Sequence, residues 1–234
     1  MFNPKPRIDV VRVTDTHSAY VIDDALLEPD KLVALAVKHW DAAENAPHNA
    51  YPGPELHMPR SIDAKLDDFF MLTVRKALGA RRVMRSYSRL AMVTMAPHEL
   101  APRQWIAHRD RFDVPPGQCI GASVLYLFRD ASLGGTSFFV PRRPASEIDL
   151  LVHESATDDR EGFARKYGVE PGYQTQTNYW FEKVATIEPK FNRMVFYDGA
   201  LFHCADVRAP EKLTRDPASG RLTFNGFFTC SKAL

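Results

Sequence analysis

The sequence has little that would staple or anchor it. Its 234 residues include only three cysteines, Cys119, Cys204 and Cys230, widely spaced and without a CxxC pair. An odd, scattered set argues against a disulfide framework and against a thiolate zinc site. No apolar run approaches the ~20 residues of a membrane span, and the opening MFNPKPRIDVVRV lacks the long apolar stretch of a signal peptide. The formal net charge is only +1, so no global field draws the chain to nucleic acid or to an acidic membrane. Repeats and low-complexity tracts are missing too. These absences leave a globular chain in a reducing cytoplasm as the expectation, with no nucleic-acid and no membrane partner. They say nothing about oligomeric state.

The composition is that of one sizeable core: 45% hydrophobic and 25% charged residues. The chain is read as a single domain over 1–234. Residues 1–84 form a mostly helical support region, and residues 85–234 a strand-rich core interrupted near 144–176. In the first part, AYVIDDALLEP reads as a short strand running into a turn. DKLVALAVKHWDAA places Leu32, Leu35, Ala36 and Trp40 at helical spacing, with Asp30 at the N-cap position. NAPHNAYPGPELHMPRS reads as loop. Ser61 is positioned to cap a second helix, IDAKLDDFFMLTVRKALG, that ends at a glycine. Arg81, Arg82, Arg85 and Arg89 form a local basic cluster whose ordinary fate is a solvated face.

The later segments SRLAMVTMA, CIGASVLYLF, GTSFFV, TNYWFEKVATIEP, RMVFYD, ALFHCADV and RLTFNGFFTC are rich in Val, Thr, Tyr and Phe and are separated by turn residues. Helices followed by a run of strands imply an α+β chain with an antiparallel barrel or sandwich. GFARKYG, within the interruption, reads as a short helix. An insertion that long points to a lid or rim.

The chemistry starts at QWIAHRDRFD. His108 and Asp110 are two apart, so an extended chain turns both side chains to one face. An imidazole and a carboxylate there can share a metal ion. A histidine from another strand would complete a 2-His-1-carboxylate triad, the donor set that suits non-haem Fe(II). A lone HxD is weak evidence, and its plain alternative is a surface His–Asp pair beside a turn. Downstream, only His153 and His203 remain. His153 lies in a polar stretch and reads as an exposed rim residue. His203 sits among apolar residues after the Asp198-Gly199 turn, where core histidine and metal ligand are the two readings, and the ligand is favoured.

A dicarboxylate co-substrate such as 2-oxoglutarate would need a cation, ideally an arginine. Arg208, Lys212 and Arg215 sit in a Pro- and Gly-containing loop. Arg221 opens the strand RLTFNGFFTC, where alternation puts Arg221, Thr223 and Asn225 on one face and Leu222, Phe224 and Phe228 on the other. Tyr126 in SVLYLF can offer a phenol to the same anion, or serve as a core tyrosine.

The ordered set AMVTMAP, HRD, VLYLF, LGGTSFF, RMVFYDG, FHCADV and RLTFNGFF, spanning about Ser88 to Phe228, resembles the Fe(II)/2-oxoglutarate-dependent dioxygenases, most closely their prolyl-hydroxylase-like branch. The resemblance implies a double-stranded β-helix (jelly-roll, cupin-like) with supporting helices. It implies His108, Asp110 and His203 as Fe(II) ligands, and Arg221 and Thr223 as binders of the 2-oxoglutarate tail with Tyr126 as their partner. O2 is then the second co-substrate, and oxidative decarboxylation is coupled to hydroxylation, or related C–H oxidation, of an amino acid, peptide or natural product. Two departures stand out. Arg221 lies further beyond the distal histidine than the family spacing, which keeps Lys212 and Arg215 open as alternatives. The strand before HRD reads Val93-Thr94-Met95 where some members carry a tyrosine. Trp105, Tyr179 and Trp180 are candidate pocket aromatics, with core packing the commoner role. Arg109 and Arg111 are candidate contacts for a substrate carboxylate. A cupin-like metalloenzyme without 2-oxoglutarate and a non-catalytic binding protein are the rival readings.

Overall fold

A computed structural model describes residues 1–45, 50–110 and 114–233. Two antiparallel sheets dominate it. The larger has seven strands in the order β1-β2-β8-β5-β10-β4-β3, and the smaller has three in the order β7-β6-β9. Their ranges are β1 Asp9–Arg12, β2 Ser18–Ile22, β3 Glu55–His57, β4 Ala80–Val93, β5 Gln118–Tyr126, β6 Thr136–Pro141, β7 Phe181–Ile187, β8 Met194–Asp198, β9 Phe202–Ala205 and β10 Arg221–Lys232. Four helices accompany them: α1 Asp30–His39, α2 Arg60–Thr73, α3 Ala145–Glu154 and α4 Arg160–Tyr167. Every later segment expected as a strand is one, because β-branched and aromatic residues suit a pleated surface buried on at least one side.

The first 84 residues combine helix and strand. They supply α1 and α2, but also β1, β2, β3 and the start of β4. The strand read at AYVI is β2; DVVR adds β1 beside it, and β2 pairs with β8, far along the chain. Asp30 is the first helical residue rather than a cap; Pro29 holds the N-cap position. Ser61 likewise lies inside α2 behind Pro59. Proline suits a helix start because its missing N–H is not needed there. The second helix ends at Thr73, six residues before Gly79, whose φ of 66° turns the chain into β4.

Three apolar clusters divide the interior. The outer face of the large sheet packs on α1 and α2, where Leu66, Phe70, Phe196, Phe224 and Phe228 are buried. Phe70 and Phe228 stack with centroids 4.2 Å apart. Burying such side chains contributes roughly 1.5–3 kcal/mol each. Between the sheets lie Ala122, Tyr126, Phe138, Val195 and Tyr197. The 144–176 insertion folds as α3 and α4 and builds a third cluster. In it Ile148, Leu151, Phe163 and Tyr167 pack with Trp105, Phe139 and Trp180. Trp105 and Trp180 are therefore core, while Tyr179 is exposed beneath Arg143. No helix among the described residues is long and apolar enough to cross a membrane.

Candidate functional site

His108 and His203 form a backbone bridge between the HRD segment and β9. Each N–H donates to the other's carbonyl, at 3.0 and 2.9 Å. The expected strand at HRD is thus reduced to one bridge, yet it seats His108 at the edge of the small sheet. Asp110 is placed by its own N–H, which donates to the Gly199 carbonyl at 2.9 Å. A Cβ on Gly199 would come within 2.8 Å of both the Asp110 carboxylate and the Ile120 side chain, so one of them would have to shift. The Asp198-Gly199 turn read from the sequence therefore allows the carboxylate to sit against the chain that leads to His203.

One ligand atom from each of His108, Asp110 and His203 lies within 4.8 Å of the others, a spacing at which all three can hold one metal ion. The His203 Nδ1–H donates to the Leu201 carbonyl at 2.8 Å, which directs Nε2 at Asp110, 3.6 Å away. Burial, reinforced by the charge of neighbouring His203, holds the His108 imidazole down at about 3. It is therefore neutral at physiological pH, as a ligand must be. For His203, burial pushes down, but the Asp110 charge and hydrogen bond and the Leu201 carbonyl outweigh it and hold the group above its usual value. For Asp110, burial pushes up, and the two histidines together with Arg89 reverse it, so the carboxylate sits below its ordinary range. Asp110 Oδ2 is buried without a hydrogen-bond partner, the orphan expected of a donor built for a metal.

The triad lines a cavity of about 70 Å³ that also meets Arg221, Thr223, Tyr51, Gln104, Tyr173, Asn225 and Arg89. Arg221 is buried, and its hydrogen bonds go to backbone: Nε donates to the Leu133 and Gly134 carbonyls at 3.0 and 3.1 Å, and Nη2 to the Gly135 carbonyl at 2.6 Å. The Gly134-Gly135 pair makes this cradle possible. A Cβ on either would collide with the backbone of Asp206 or Ile187 at 1.7 and 1.9 Å. No carboxylate pairs with Arg221 among the described residues. Thr223 Oγ1 donates to the Ala91 carbonyl at 3.2 Å and lies 3.3 Å from the Tyr51 hydroxyl. Tyr126 is fully buried, and its hydroxyl donates to Thr136 Oγ1 at 2.8 Å; Thr136, not Tyr126, reaches the cavity. Burial pushes the Tyr126 phenol up to about 12, so it stays a neutral donor.

The alternatives to Arg221 lie elsewhere. Lys212 Nζ bonds Ser132 Oγ at 2.8 Å, and Arg215 is 80% exposed beside Glu99. His153 is exposed on α3, as expected of a rim residue. Arg111 lies outside the described residues. Sequence reasoning missed Tyr51, a lone aromatic in a Pro- and Gly-rich loop. It also missed Arg89, which a charge run disguised. Arg81, Arg82 and Arg85 are solvated, but Arg89 turns inward and pairs with buried Glu55 at 2.5 Å.

A protein-family model matches residues 4–228, and its description is a family of unknown function, DUF6445. No curated protein matches the sequence. Among solved structures, HygX from Streptomyces hygroscopicus with nickel and 2-oxoglutarate bound is similar at 9% identity with a TM-score of 0.51, over 93% of this chain and 84% of that one. An N-substituted L-amino acid dioxygenase from Burkholderia ambifaria AMMD aligns over 92% of this chain and 86% of its own, at 10% identity and a TM-score of 0.40. At such identities the likeness to HygX shows a shared fold and nothing finer.

Proposed function

The chain belongs to DUF6445, a family of unknown function, and from its site we propose that it is an Fe(II)/2-oxoglutarate-dependent oxygenase built on a double-stranded β-helix. The order of its motifs favours the prolyl-hydroxylase-like branch. One observation carries the reading: a single cavity joins a three-donor metal constellation to a buried guanidinium that no described carboxylate neutralises. A metal at one end and an uncompensated cation at the other match a chelating dicarboxylate. A cupin-like metalloenzyme without 2-oxoglutarate gives Arg221 no task.

His108, Asp110 and His203 would hold Fe(II), with Asp110 Oδ2 finding there the partner it lacks. Arg221 and Thr223 would bind the distal carboxylate, and Tyr51 would add its hydroxyl through Thr223. Tyr126 would act indirectly, by fixing Thr136 at the cavity wall. With iron and 2-oxoglutarate bound, the chemistry supplied is conversion of 2-oxoglutarate, O2 and substrate C–H to succinate, CO2 and substrate C–OH. The chain's own part is geometry and dryness. Ile106 and Tyr197 wall the cavity, and the Leu201 carbonyl fixes the His203 tautomer. The substrate is a small molecule or a peptide, and the working compartment is the cytoplasm.

The test is anaerobic addition of Fe(II) and 2-oxoglutarate. A weak visible charge-transfer band should form with the wild-type chain and vanish in His108→Ala. If the wild-type chain gives no band and no calorimetric heat with 2-oxoglutarate, the reading is wrong.

A further inference from the structure

The cavity does not end at the metal ligands. Beside His108 and Asp110 it continues into an outer groove of about 280 Å³, bounded by residues of β4 and β10 on one side and by Val152, Ser155 and Ala156, at the end of α3 and just beyond it, on another. Three guanidinium groups line this groove: Arg89, Arg103 and Arg109. The one carboxylate among its described lining residues is Asp110, which belongs to the metal constellation. Such an excess of one sign in a low-dielectric cleft focuses potential on whatever enters it.

The arginines are not equally committed. Arg109 donates to Asp149 at 3.1 Å and lies over the Phe202 ring. Arg89 pairs with Glu55 through Nη1, while its Nε is buried without a hydrogen-bond partner. Arg103 gives one bond, from Nη2 to the Ala156 carbonyl at 3.0 Å; its Nε is also buried without a partner, and no described carboxylate pairs with it. Two arginines that line one groove thus each keep an N–H without an acceptor among the described residues. The opposite requirement is met by Tyr87 and Phe227, stacked at 4.8 Å and 18°, with Arg89 lying 4.8 Å above the Phe227 ring. Tyr87 remains 40% exposed, so the stack presents a flat apolar surface at the mouth.

We propose that this groove is the substrate subsite and that it selects an oxyanion carried on a flat apolar body. Arg103 and Arg89 take the acid group, and the body lies on the Tyr87–Phe227 stack within reach of the metal position. Calling the ligand a substrate rests on the oxygenase reading; the ligand chemistry of the groove does not.

The experiment is calorimetry on the full chain under nitrogen at low ionic strength. Benzoate, phenyl phosphate and neutral benzamide are the probes. Titrations are run with saturating Mn(II) and 2-oxoglutarate and repeated without them, and 2-oxoglutarate is titrated separately. At least one acid should bind tenfold or more tightly than benzamide, and Arg103→Gln should lose that advantage tenfold or more. Arg89→Gln should lose it as well; because that change strands Glu55, its folding is checked by circular dichroism, and Arg103→Gln carries the test if it fails to fold. A preference for phenyl phosphate or for benzoate tells whether phosphate or carboxylate is the natural group. Benzamide binding as well as the acids, no acid binding at all, or a folded Arg103→Gln with unchanged acid binding overturns the inference. Any of these with 2-oxoglutarate binding intact leaves the oxygenase reading standing. Acid binding lost in Arg103→Gln alongside absent 2-oxoglutarate binding sinks that reading alone.

Discussion

The two faces of β10 carry opposite tasks on one strand of 12 residues. Leu222, Phe224 and Phe228 point at α2 and join the largest apolar cluster. Arg221, Thr223, Asn225 and Phe227 point the other way and line the cavity or its mouth. Both faces are mostly buried, so burial alone does not separate core from site. What separates them is hydrogen-bonding need. The helix-facing side chains ask for none, whereas Arg221, Thr223 and Asn225 each carry polar atoms, and Asn225 Oδ1 lacks a partner. In a sheet walled on both sides, the period of two that builds the core also sets out the cavity-lining residues.

The comparison breaks first at Phe228. Its truncation to Ala should cost about 3–5 kcal/mol, the usual loss for a buried aromatic. Urea unfolding measures this. Affinity for 2-oxoglutarate per folded molecule should stay within about twofold, since the ring faces away from the cavity; a loss as large as that of a cavity variant would mean the faces are not separable. Next comes Arg221→Gln, on the other face. It should weaken 2-oxoglutarate by about 2–4 kcal/mol, the range for truncating one side of a buried charged contact. Metal binding by the triad should be kept, with equilibrium dialysis and calorimetry as the paired measurements. Equal loss of both would contradict a division of labour within the cavity.

The smallest effect sharpens the contrast through pH. His108 is held at about 3 in the folded, metal-free chain, against an ordinary value of 6.5. Between those values the unfolded chain binds the extra proton, so stability rises with pH across this window and is lost as pH falls through it. The slope is at most about 1.4 kcal/mol per pH unit for one proton. Denaturation of metal-free protein between pH 4 and 6.5 should show a shallower dependence in His108→Gln than in wild type. Phe228→Ala should lower stability throughout without changing the slope, because no ionisable group is involved.

What the sequence revealed follows the same division. The strands after residue 80 and the alternation on β10 were legible because period and residue type agree there. His108, Asp110 and His203 were legible only as an ordered set, since the bridge that joins them pairs residues 95 apart in sequence. Arg89 was not legible. Its neighbours Arg81, Arg82 and Arg85 lie where β4 faces solvent, and only the approach of β3 with Glu55 makes position 89 an interior one. Tyr51 was hidden for a similar reason: it comes from an irregular loop whose position against Thr223 is set by tertiary packing and not by local pattern. The strand read at AYVI is β2, but β1 and β3 are too short for periodicity to speak, and the partner of β2, β8, lies far along the chain.

The carbonyl cradle around Arg221 has one more consequence. An arginine side chain carries about 2 kcal/mol of rotamer entropy, and most contacts that use one forfeit part of it at the moment of encounter. Here Leu133, Gly134 and Gly135 immobilise the guanidinium when the chain folds. Because these acceptors are neutral dipoles, they fix its direction without cancelling its charge. On the proposed reading, an arriving anion would meet a cation already aimed, and selectivity for its shape would be set by a glycine pair that never touches it.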